Sequence, residues 1–280
     1  MKPVPESPKK RPAEFYGEFV EDTSSAELMA AFVAEHCPFI HARCKKLRKS
    51  NSSQTIGTCT ITYQKAHLII CPKRFLQAQQ IFLDCVQLLN GKGRYYVIPE
   101  VGMPGGNIDY FLIVRQDDEI KDYLGIEIQS LDTTSSGKIW DARVDAVNGV
   151  IRNSYNFGIN WKMSAKTILM QMHHKAPAFE QLGKKLVLVI QTEFLNYIER
   201  EFRSGHLRNA DFTDAIRFHG YNCVNLGNNL SIVKVIEKST NADGIERMLG
   251  GKVTDTITNS SVINRLQAKM GDAFELTPAR

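Results

Sequence analysis

The chain has 280 residues, 43% of them hydrophobic and 23% charged, and this balance excludes a disordered or fibrous protein. Lys and Arg number 35 and Asp and Glu number 30, so the net charge of +5 is a mild basic excess. The N-terminal residues lack the apolar run of a signal peptide, and apolar runs such as residues 186 to 190 are too short to span a bilayer. We therefore expect a cytoplasmic protein that does not enter the membrane and that forms one large domain or two small ones.

The first part of the chain is rich in cysteines. Residues 1 to 13 are predicted to form a mobile tail, and a helix is expected to lead from it into residues 36 to 75. Three of the four cysteines in that segment lie beside Pro or Gly, at turns. In a reducing compartment cysteines indicate a metal or burial rather than disulfides, and four thiolates could hold Zn²⁺, a single iron or an iron–sulfur cluster. These cysteines are Cys37, Cys44, Cys59 and Cys71.

Basic residues are concentrated in the same segment. A patch of this kind suits a polyanion, because each phosphate contact releases counterions. The alternative is an ordinary solvated helix face. The basic residues are Arg43, Lys45, Lys46, Arg48, Lys49, Lys73 and Arg74.

Two short apolar strands joined by a charged turn are predicted over residues 105 to 130, and each contains an acid. Side chains alternate between faces of a strand, so Glu127 and Gln129 share one face with Gly125, which we expect to keep that face open. Asp109 stands at the entrance to the other strand, where an isolated carboxylate would be costly to desolvate. Two acids that converge on a cation such as Mg²⁺ explain the pattern, and the alternative is a surface hairpin whose acids point to water.

A further apolar run ends at Glu100, and the Gly- and Pro-rich turn after it could return the chain beside Asp109. Glu100, Asp109, Glu127 and Gln129 would then form a compact polar set at strand ends. An acid followed by acid-x-(Lys or Gln) resembles the motif of the PD-(D/E)xK nuclease superfamily. Gln129 stands where most members of that superfamily carry lysine.

The rest of the chain alternates between helical and extended patterns. Helices are predicted over residues 140 to 155, 162 to 175 with a break at Pro177, and 193 to 204, with a buried strand over 184 to 191. Short amphipathic helices are predicted over residues 244 to 251 and 260 to 276. Strands flanked by helices indicate an α/β core with a mixed sheet. The predicted core or structural residues outside the acidic set are Cys85, Cys223, Trp140, Trp161, His173 and His174.

Four stretches in this order resemble the NotI-type restriction endonucleases, a branch of the PD-(D/E)xK superfamily. They are CPFIHARCKKLR, IGTCTITYQKAHLIICPKRF, IPEVGMPGGNIDYFLIV and YLGIEIQSLDTT, and the resemblance covers residues 36 to 195. It implies a PD-(D/E)xK nuclease core and a homodimer that cuts both strands of a palindromic, GC-rich double-stranded DNA site. It also implies an Mg²⁺-dependent active site, a structural iron and a cognate DNA methyltransferase in the same system.

Carried over residue by residue, the resemblance places the iron on Cys37, Cys44, Cys59 and Cys71, although thiolate chemistry alone admits zinc equally. The acidic set falls on Glu100, Asp109 and Glu127, and the unusual glutamine of the family falls on Gln129. We expect Asp109 and Glu127 to hold Mg²⁺, Glu100 to complete that shell or serve a second metal, and Gln129 to orient water or a phosphate oxygen. The basic patch then becomes a DNA-binding surface. A cation that replaces the usual lysine could come from Lys138, Lys162 or Lys166.

The expected organisation is an N-terminal tail and lead-in helix over residues 1 to 35, a four-cysteine metal-binding module over 36 to 75, and an endonuclease catalytic domain over 76 to 280. Two other functions remain open at this stage. One is a DNA-binding protein with a metal knuckle and no catalysis. The other is a repair or transposition nuclease that lacks sequence specificity.

Overall fold

The computed structural model describes residues 9–48, 51–103, 105–117, 119–135, 137–202, 204–227 and 229–250. The N-terminal strands are β1 (Lys10–Phe15), β2 (Glu18–Phe19), β3 (His36–Cys37), β4 (Ala42–Arg43), β5 (Leu47–Arg48), β6 (Asn51–Thr55), β7 (Thr58–Tyr63) and β8 (Ala66–Ile69). The later strands are β9 (Arg94–Met103), β10 (Gly106–Gln116), β11 (Glu119–Gln129), β12 (Thr133–Thr134), β13 (Gly158–Ile159), β14 (Lys185–Gln191), β15 (Arg208–Asn209), β16 (Ile216–Asn225) and β17 (Leu230–Thr240). The helices are α1 (Ser25–Ala34), α2 (Gln80–Leu83), α3 (Gly137–Val147), α4 (Trp161–Gln181), α5 (Thr192–Glu201) and α6 (Ala242–Met248), with 3₁₀ helices at Pro72–Gln79, Val86–Leu88 and Ser204–His206.

Within these residues, seven strands form one mixed sheet in the order β15-β17-β16-β14-β11-β10-β9. Strands β11, β14 and β16 run parallel, whereas the other neighbours pair antiparallel. Parallel neighbours need crossover connections, and α4 and α5 supply them. Strand β14 is buried beyond its first residue, as expected of a strand between two parallel neighbours. The predicted α/β class, a mixed sheet flanked by helices, is confirmed.

Helix α4 covers the face of the sheet that carries Glu127. Its buried residues recur at helical spacing and include Ile168, Met172 and Phe179. A Cβ on Gly125 would lie 2.5 Å from the Phe179 ring, so the phenyl group fills the space that the glycine leaves. The prediction that Gly125 keeps this face open is therefore wrong.

Helix α4 also continues through Pro177 to Gln181, whereas the sequence predicted a break at the proline. Proline inside a helix removes an N–H donor and costs about 3 kcal/mol. Burial of Ala176 and Phe179 against the sheet offsets that cost, and Pro177 itself lies on the exposed side. The predicted break is wrong because packing outweighs local propensity here.

Strand β1 lies within the stretch that was predicted to be a mobile tail. It pairs antiparallel with β7 in a four-stranded sheet of order β2-β1-β7-β8, so the prediction is wrong for residues 10 to 13, while residues 1 to 8 lie outside the described residues. Helix α1 follows, and Ser24 and Glu27 form a reciprocal capping box at its N-terminus.

The four-stranded sheet packs against the large sheet. Ile61 and Leu68 from β7 and β8 belong to the same buried cluster as Ile108 and Phe111 from β10. Residues 36 to 75 therefore share a core with the large sheet. The division of the chain at residues 35 and 75 remains a prediction.

Of the two predicted C-terminal helices, the first corresponds to α6, and residues 260 to 276 lie outside the described part of the chain. Cys85 and Cys223 are buried, as predicted. No helix among the described residues is both long enough and apolar enough to cross a membrane.

Candidate active site

Three acids lie in a row across β9, β10 and β11. The β9 register sets Glu100 opposite Asp109, between the neighbouring backbone pairs. The β11 register pairs Tyr110 with Ile126, which sets Asp109 opposite Glu127. Neighbouring strands are about 4.8 Å apart, so side chains at these positions are within reach of one another. We call Glu100, Asp109 and Glu127 the acidic row.

Asp109 is fixed against β11 by a hydrogen bond at the end of the strand ladder. The last β10–β11 pair is Tyr110 with Ile126, and beyond it the backbone N–H of Ile128 donates to Asp109 Oδ2 at 2.9 Å. The carboxylate thus accepts from a backbone donor that the ladder no longer satisfies. The backbone N–H of Asp109 in turn favours the charged form of Glu127 and acts to lower the pKa of that carboxyl. The hydrogen bond from Ile128 therefore ties Asp109 of β10 to β11.

Glu127 is only 2% exposed and forms a buried ion pair with a lysine of α4. Lys175 Nζ donates to Glu127 Oε1 at 2.7 Å. Burial raises the pKa of Glu127 to about 7, and the negative charge of Asp109 adds to the effect, while Lys175 opposes it. The carboxylate lies in an environment that disfavours its charge despite the ion pair.

A glycine turn seats Lys175 beside the acidic row. Gly105, which follows β9, has a φ of +94°, and a Cβ there would clash with the carbonyl oxygen of His174 on α4. Gly106 has a φ of +126°, and a Cβ there would lie 3.4 Å from Lys175 Cε. Glycine is needed both for the left-handed backbone and for this close approach of hairpin and helix.

The other two predicted site residues lie at the edge of the row. Glu100 is exposed and has a φ of +54°, a strained conformation for a residue with a Cβ. Gln129 lies on the same face of β11 as Glu127, and its amide nitrogen donates to the Ser130 carbonyl at 2.6 Å. The structure thus brings the four predicted residues to one end of neighbouring strands.

Lys73 approaches the row from the 3₁₀ helix Pro72–Gln79. Its Nζ lies 3.1 Å from the Tyr110 hydroxyl. Burial disfavours the charge of Lys73, but the hydrogen bond to Tyr110 and the carboxylates of Asp109 and Glu100 outweigh burial and raise the pKa of Lys73. This lysine, predicted as a DNA contact, therefore lies within the electrostatic field of the acidic row.

The three lysines proposed from the sequence lie elsewhere. Lys138 pairs with Asp141 at 2.9 Å, and Lys162 and Lys166 lie on the exposed face of α4. Sequence reasoning missed Lys175, yet a signal was present. Lysine at 175 falls in the apolar stripe of α4, where Ile168, Met172 and Phe179 are buried, and a charge in such a stripe needs a buried partner.

The predicted cysteine ligands share several features. Cys37, Cys59 and Cys71 are buried, Cys44 is half-buried, and all four carry free thiols. Burial raises the pKa of the three buried thiols, and the four act electrostatically on one another. Among the residues that the structure describes, no three His, Cys, Asp or Glu side chains are already arranged to hold a metal ion.

Two of these cysteines stand directly before a proline, and backbone N–H groups act on both. The N–H groups of Phe39 and Ile40 oppose the rise in the pKa of Cys37 that burial causes. The N–H groups of residues 73 and 74 do the same at Cys71, and the N–H of Arg74 donates to the Cys71 carbonyl oxygen at 3.0 Å. Burial outweighs these groups, so the pKa of both thiols is raised.

The basic patch is only partly available to a polyanion. Arg43 pairs with Glu35 at 2.7 Å, Lys46 donates to the Ile70 carbonyl at 2.6 Å, and Lys45 is exposed. The side chain of Arg48 and the whole of Lys49 lie outside the described residues.

The prediction that Arg74 contacts DNA is wrong. Arg74 is 0% exposed and donates to Glu14 at 2.8 Å and to the Leu230 carbonyl at 2.6 Å, so it cannot contact DNA. Its guanidinium instead ties the small sheet to the start of β17. The buried carboxylate of Glu14 compensates the charge of this buried arginine.

The fold and the site together define a mixed α/β protein whose acids converge at the ends of neighbouring strands. The family model for restriction endonuclease NotI matches residues 26–219, more than two thirds of the chain, including the acidic row and the four cysteines. The chain belongs to the NotI restriction endonuclease family. It is therefore a type II restriction endonuclease, a hydrolase that cuts DNA at a specific site. No curated protein sequence matches the chain.

Proposed function

We propose that the chain hydrolyses both strands of a palindromic, GC-rich DNA site in an Mg²⁺-dependent reaction, with a PD-(D/E)xK nuclease core that acts as a homodimer. The observation that supports this most directly is the pairing of Asp109 and Glu127 on adjacent strands, with Asp109 held by the Ile128 N–H and Glu127 by the Lys175 ammonium. The resemblance of the acid and acid-x-Gln motifs to the superfamily adds to it. We expect the protein to act in the cytoplasm beside a cognate DNA methyltransferase.

The residues present fit a hard divalent cation. Carboxylate oxygens are the ligands that Mg²⁺ prefers, and Asp109 and Glu127 would supply one or more each, with Glu100 completing the shell or serving a second ion. The buried Glu127 carboxylate, whose pKa is raised to about 7, would gain from a second nearby positive charge. When bound, Mg²⁺ lowers the pKa of a water ligand and neutralises charge on the scissile phosphate.

The other residues of the site bind and orient. Gln129 would hold the attacking water or a phosphate oxygen through its amide, since it has no charge to contribute. Lys73 would add a positive charge beside the DNA backbone at the open edge of the row. The remaining accessible basic residues would bind phosphates, which positions the duplex without reading its sequence.

The four cysteines fit a soft-ligand metal site, and we propose that Cys37, Cys44, Cys59 and Cys71 hold one structural iron. Their sulfurs act on one another electrostatically, and three of the four are buried. Thiols with raised pKa values inside a protein become thiolates when a metal binds. The family resemblance favours iron, and zinc would suit the same ligands.

The test is digestion of plasmid and genomic DNA by the purified protein with and without Mg²⁺. A site-specific nuclease gives discrete fragments, and sequencing of their ends reveals the recognition site. Failure to cut any DNA that carries all short palindromes would contradict the proposal and favour a DNA-binding protein. A smear would indicate a nuclease without specificity.

A further inference from the structure

Lys175 is a lysine with a side chain only 6% exposed, paired with a glutamate whose side chain is 3% exposed. Replacing such a buried ion pair by apolar residues is often neutral or stabilising, because desolvation cancels much of the Coulomb attraction. Stability of α4 against the sheet therefore does not explain why a charged pair lies here. The location of the pair does explain it, because Glu127 belongs to the acidic row.

The contacts around the Asp109–Glu127 pair restrict both carboxylates. Lys175 Nζ donates to Glu127 Oε1 at 2.7 Å, and the backbone N–H of Ile128 donates to Asp109 Oδ2 at 2.9 Å. The Gly105–Gly106 turn presses against the backbone of α4 at this point, so the lysine stem has little freedom. Both carboxylates of the Asp109–Glu127 pair thus have fixed orientations before any cation or DNA is bound.

The row also needs positive charge near Glu127. Phosphodiester cleavage builds negative charge, and preorganised positive groups stabilise it most in sites that exclude water. Gln129, at the motif position nearest to Glu127, is neutral. Among the contacts described around Glu127, the positive charge is the ammonium of Lys175.

We propose that Lys175 is a positioning residue of the cleavage site, which acts through Glu127. Its ammonium orients the Glu127 carboxylate toward Asp109 for cation binding and supplies the fixed positive charge that Gln129 does not. The inference rests on the proposed Mg²⁺-dependent function.

The test compares Lys175→Met, Lys175→Gln and Lys175→Arg in the full chain. Methionine removes donor and charge, glutamine keeps a donor, and arginine keeps the charge. Lys184→Met is the matched control, because Lys184 pairs with Asp122 on the same strand β11, away from the acidic row. Binding of Mn²⁺ is followed by electron paramagnetic resonance without DNA, and single-turnover cleavage is measured separately.

We expect Lys175→Met to weaken both Mn²⁺ binding and the cleavage rate by about 10- to 100-fold, the usual effect of losing a partner of a metal ligand. Arg should retain more of both activities than Met, and Gln should fall between them. Affinity for the DNA site, measured with Ca²⁺ in place of Mg²⁺, should stay within about twofold, since phosphate and base contacts lie elsewhere. The Lys184→Met control should bind Mn²⁺ and cleave like the wild type.

A folded Lys175→Met protein with wild-type Mn²⁺ binding and cleavage would overturn the inference. If that variant does not fold, Lys175→Gln decides in the same way, because its amide can still donate to Glu127. A wild-type chain that binds no Mn²⁺ and cuts no DNA would overturn the proposed function instead. The two failures are therefore distinguishable.

Discussion

At the scale of single residues, Asp109 and Glu127 show how the end of a strand ladder brings two acids together. Beyond the last regular pair, the Asp109 carboxylate accepts the backbone N–H of Ile128, and the Glu127 carboxylate accepts the Lys175 ammonium. Each carboxylate has about four lone-pair sites, so lone pairs remain for other partners. Orientation is thus built into the protein.

The first prediction concerns these two acids. Glu127→Ala or Asp109→Asn should lower the single-turnover cleavage rate by at least about 100-fold, the loss that follows removal of one preorganised electrostatic group. Affinity for the DNA site should change little, because it depends on contacts outside the row. Gel-shift binding with Ca²⁺ and cleavage with Mg²⁺ measure the two quantities. Wild-type cutting by either variant would refute the assignment.

The second prediction concerns Gln129→Lys, which introduces the commoner residue of the motif. We expect slower cleavage, because a longer, charged side chain would replace an amide that donates to the Ser130 carbonyl. Gln129→Glu, which adds the opposite charge at similar size, serves as the comparison. Faster cutting by Gln129→Lys than by the wild type would show that the amide is not needed.

At the scale of elements, the β10–β11 hairpin and α4 were predictable as a strand pair and a helix, but their contacts were not. The alternation of side chains correctly placed Glu127 and Gln129 on one face. It could not reveal that Phe179 would fill the space beside Gly125, because that contact joins positions far apart in sequence. Lys175 was missed for the same reason, since periodicity identifies a buried position but not its partner.

The third prediction concerns the start of β11, where Asp122 accepts from Lys184 and from the N–H groups of Asn90 and Tyr123. Burial works against its charge, but these donors together lower the pKa of Asp122 below its usual value of 3.8. A depressed carboxyl pKa contributes stability above the unfolded pKa and loses it as pH falls below about 3.8.

Asp122→Asn should therefore lower the free energy of unfolding at pH 7 by about 1 to 3 kcal/mol, the range for losing a charged hydrogen-bond partner. Urea unfolding measures this value. The difference between variant and wild type should shrink at pH 3, because below pH 3.8 the unfolded wild-type chain binds a proton that the folded Asp122 carboxylate resists. An equal difference at both pH values would contradict the electrostatic explanation.

At the scale of the whole molecule, the class of fold followed from the sequence, whereas the small sheet did not. Strand β1 pairs with β7. In addition, the carboxylate of Glu14 on β1 accepts hydrogen bonds from both Thr60 and Arg74. A short strand with a lysine, an arginine and a proline in its first half looks like a tail when read locally. Only its distant partner makes it a strand.

The cysteine segment joins the small sheet to the acidic row through one short stretch. Cys71 follows β8, and two residues later the Lys73 ammonium reaches Tyr110 beside Asp109. Any metal on the four cysteines would therefore fix the path of the chain that delivers Lys73 to the acidic row. Folding of the segment and geometry of the site should respond together.

The last prediction is that Cys59→Ser lowers solubility and DNA affinity together, without altering the acidic row. Metal binding to thiolates adds folding free energy, and a segment with few large apolar groups needs such a staple even when it shares a core with its neighbour. Cys85→Ser is the control, because Cys85 is buried in a different cluster, away from the other four thiols.

Elemental analysis and the visible spectrum of the purified protein decide whether the four cysteines hold iron. We expect about one tightly bound metal per chain, lost in Cys59→Ser and kept in Cys85→Ser. Four-thiolate iron absorbs visible light and zinc does not, so a colourless protein with one zinc would refute the choice of iron alone. A metal-free wild type that folds and cuts DNA would refute the site itself, since its thiols would then be ordinary buried groups.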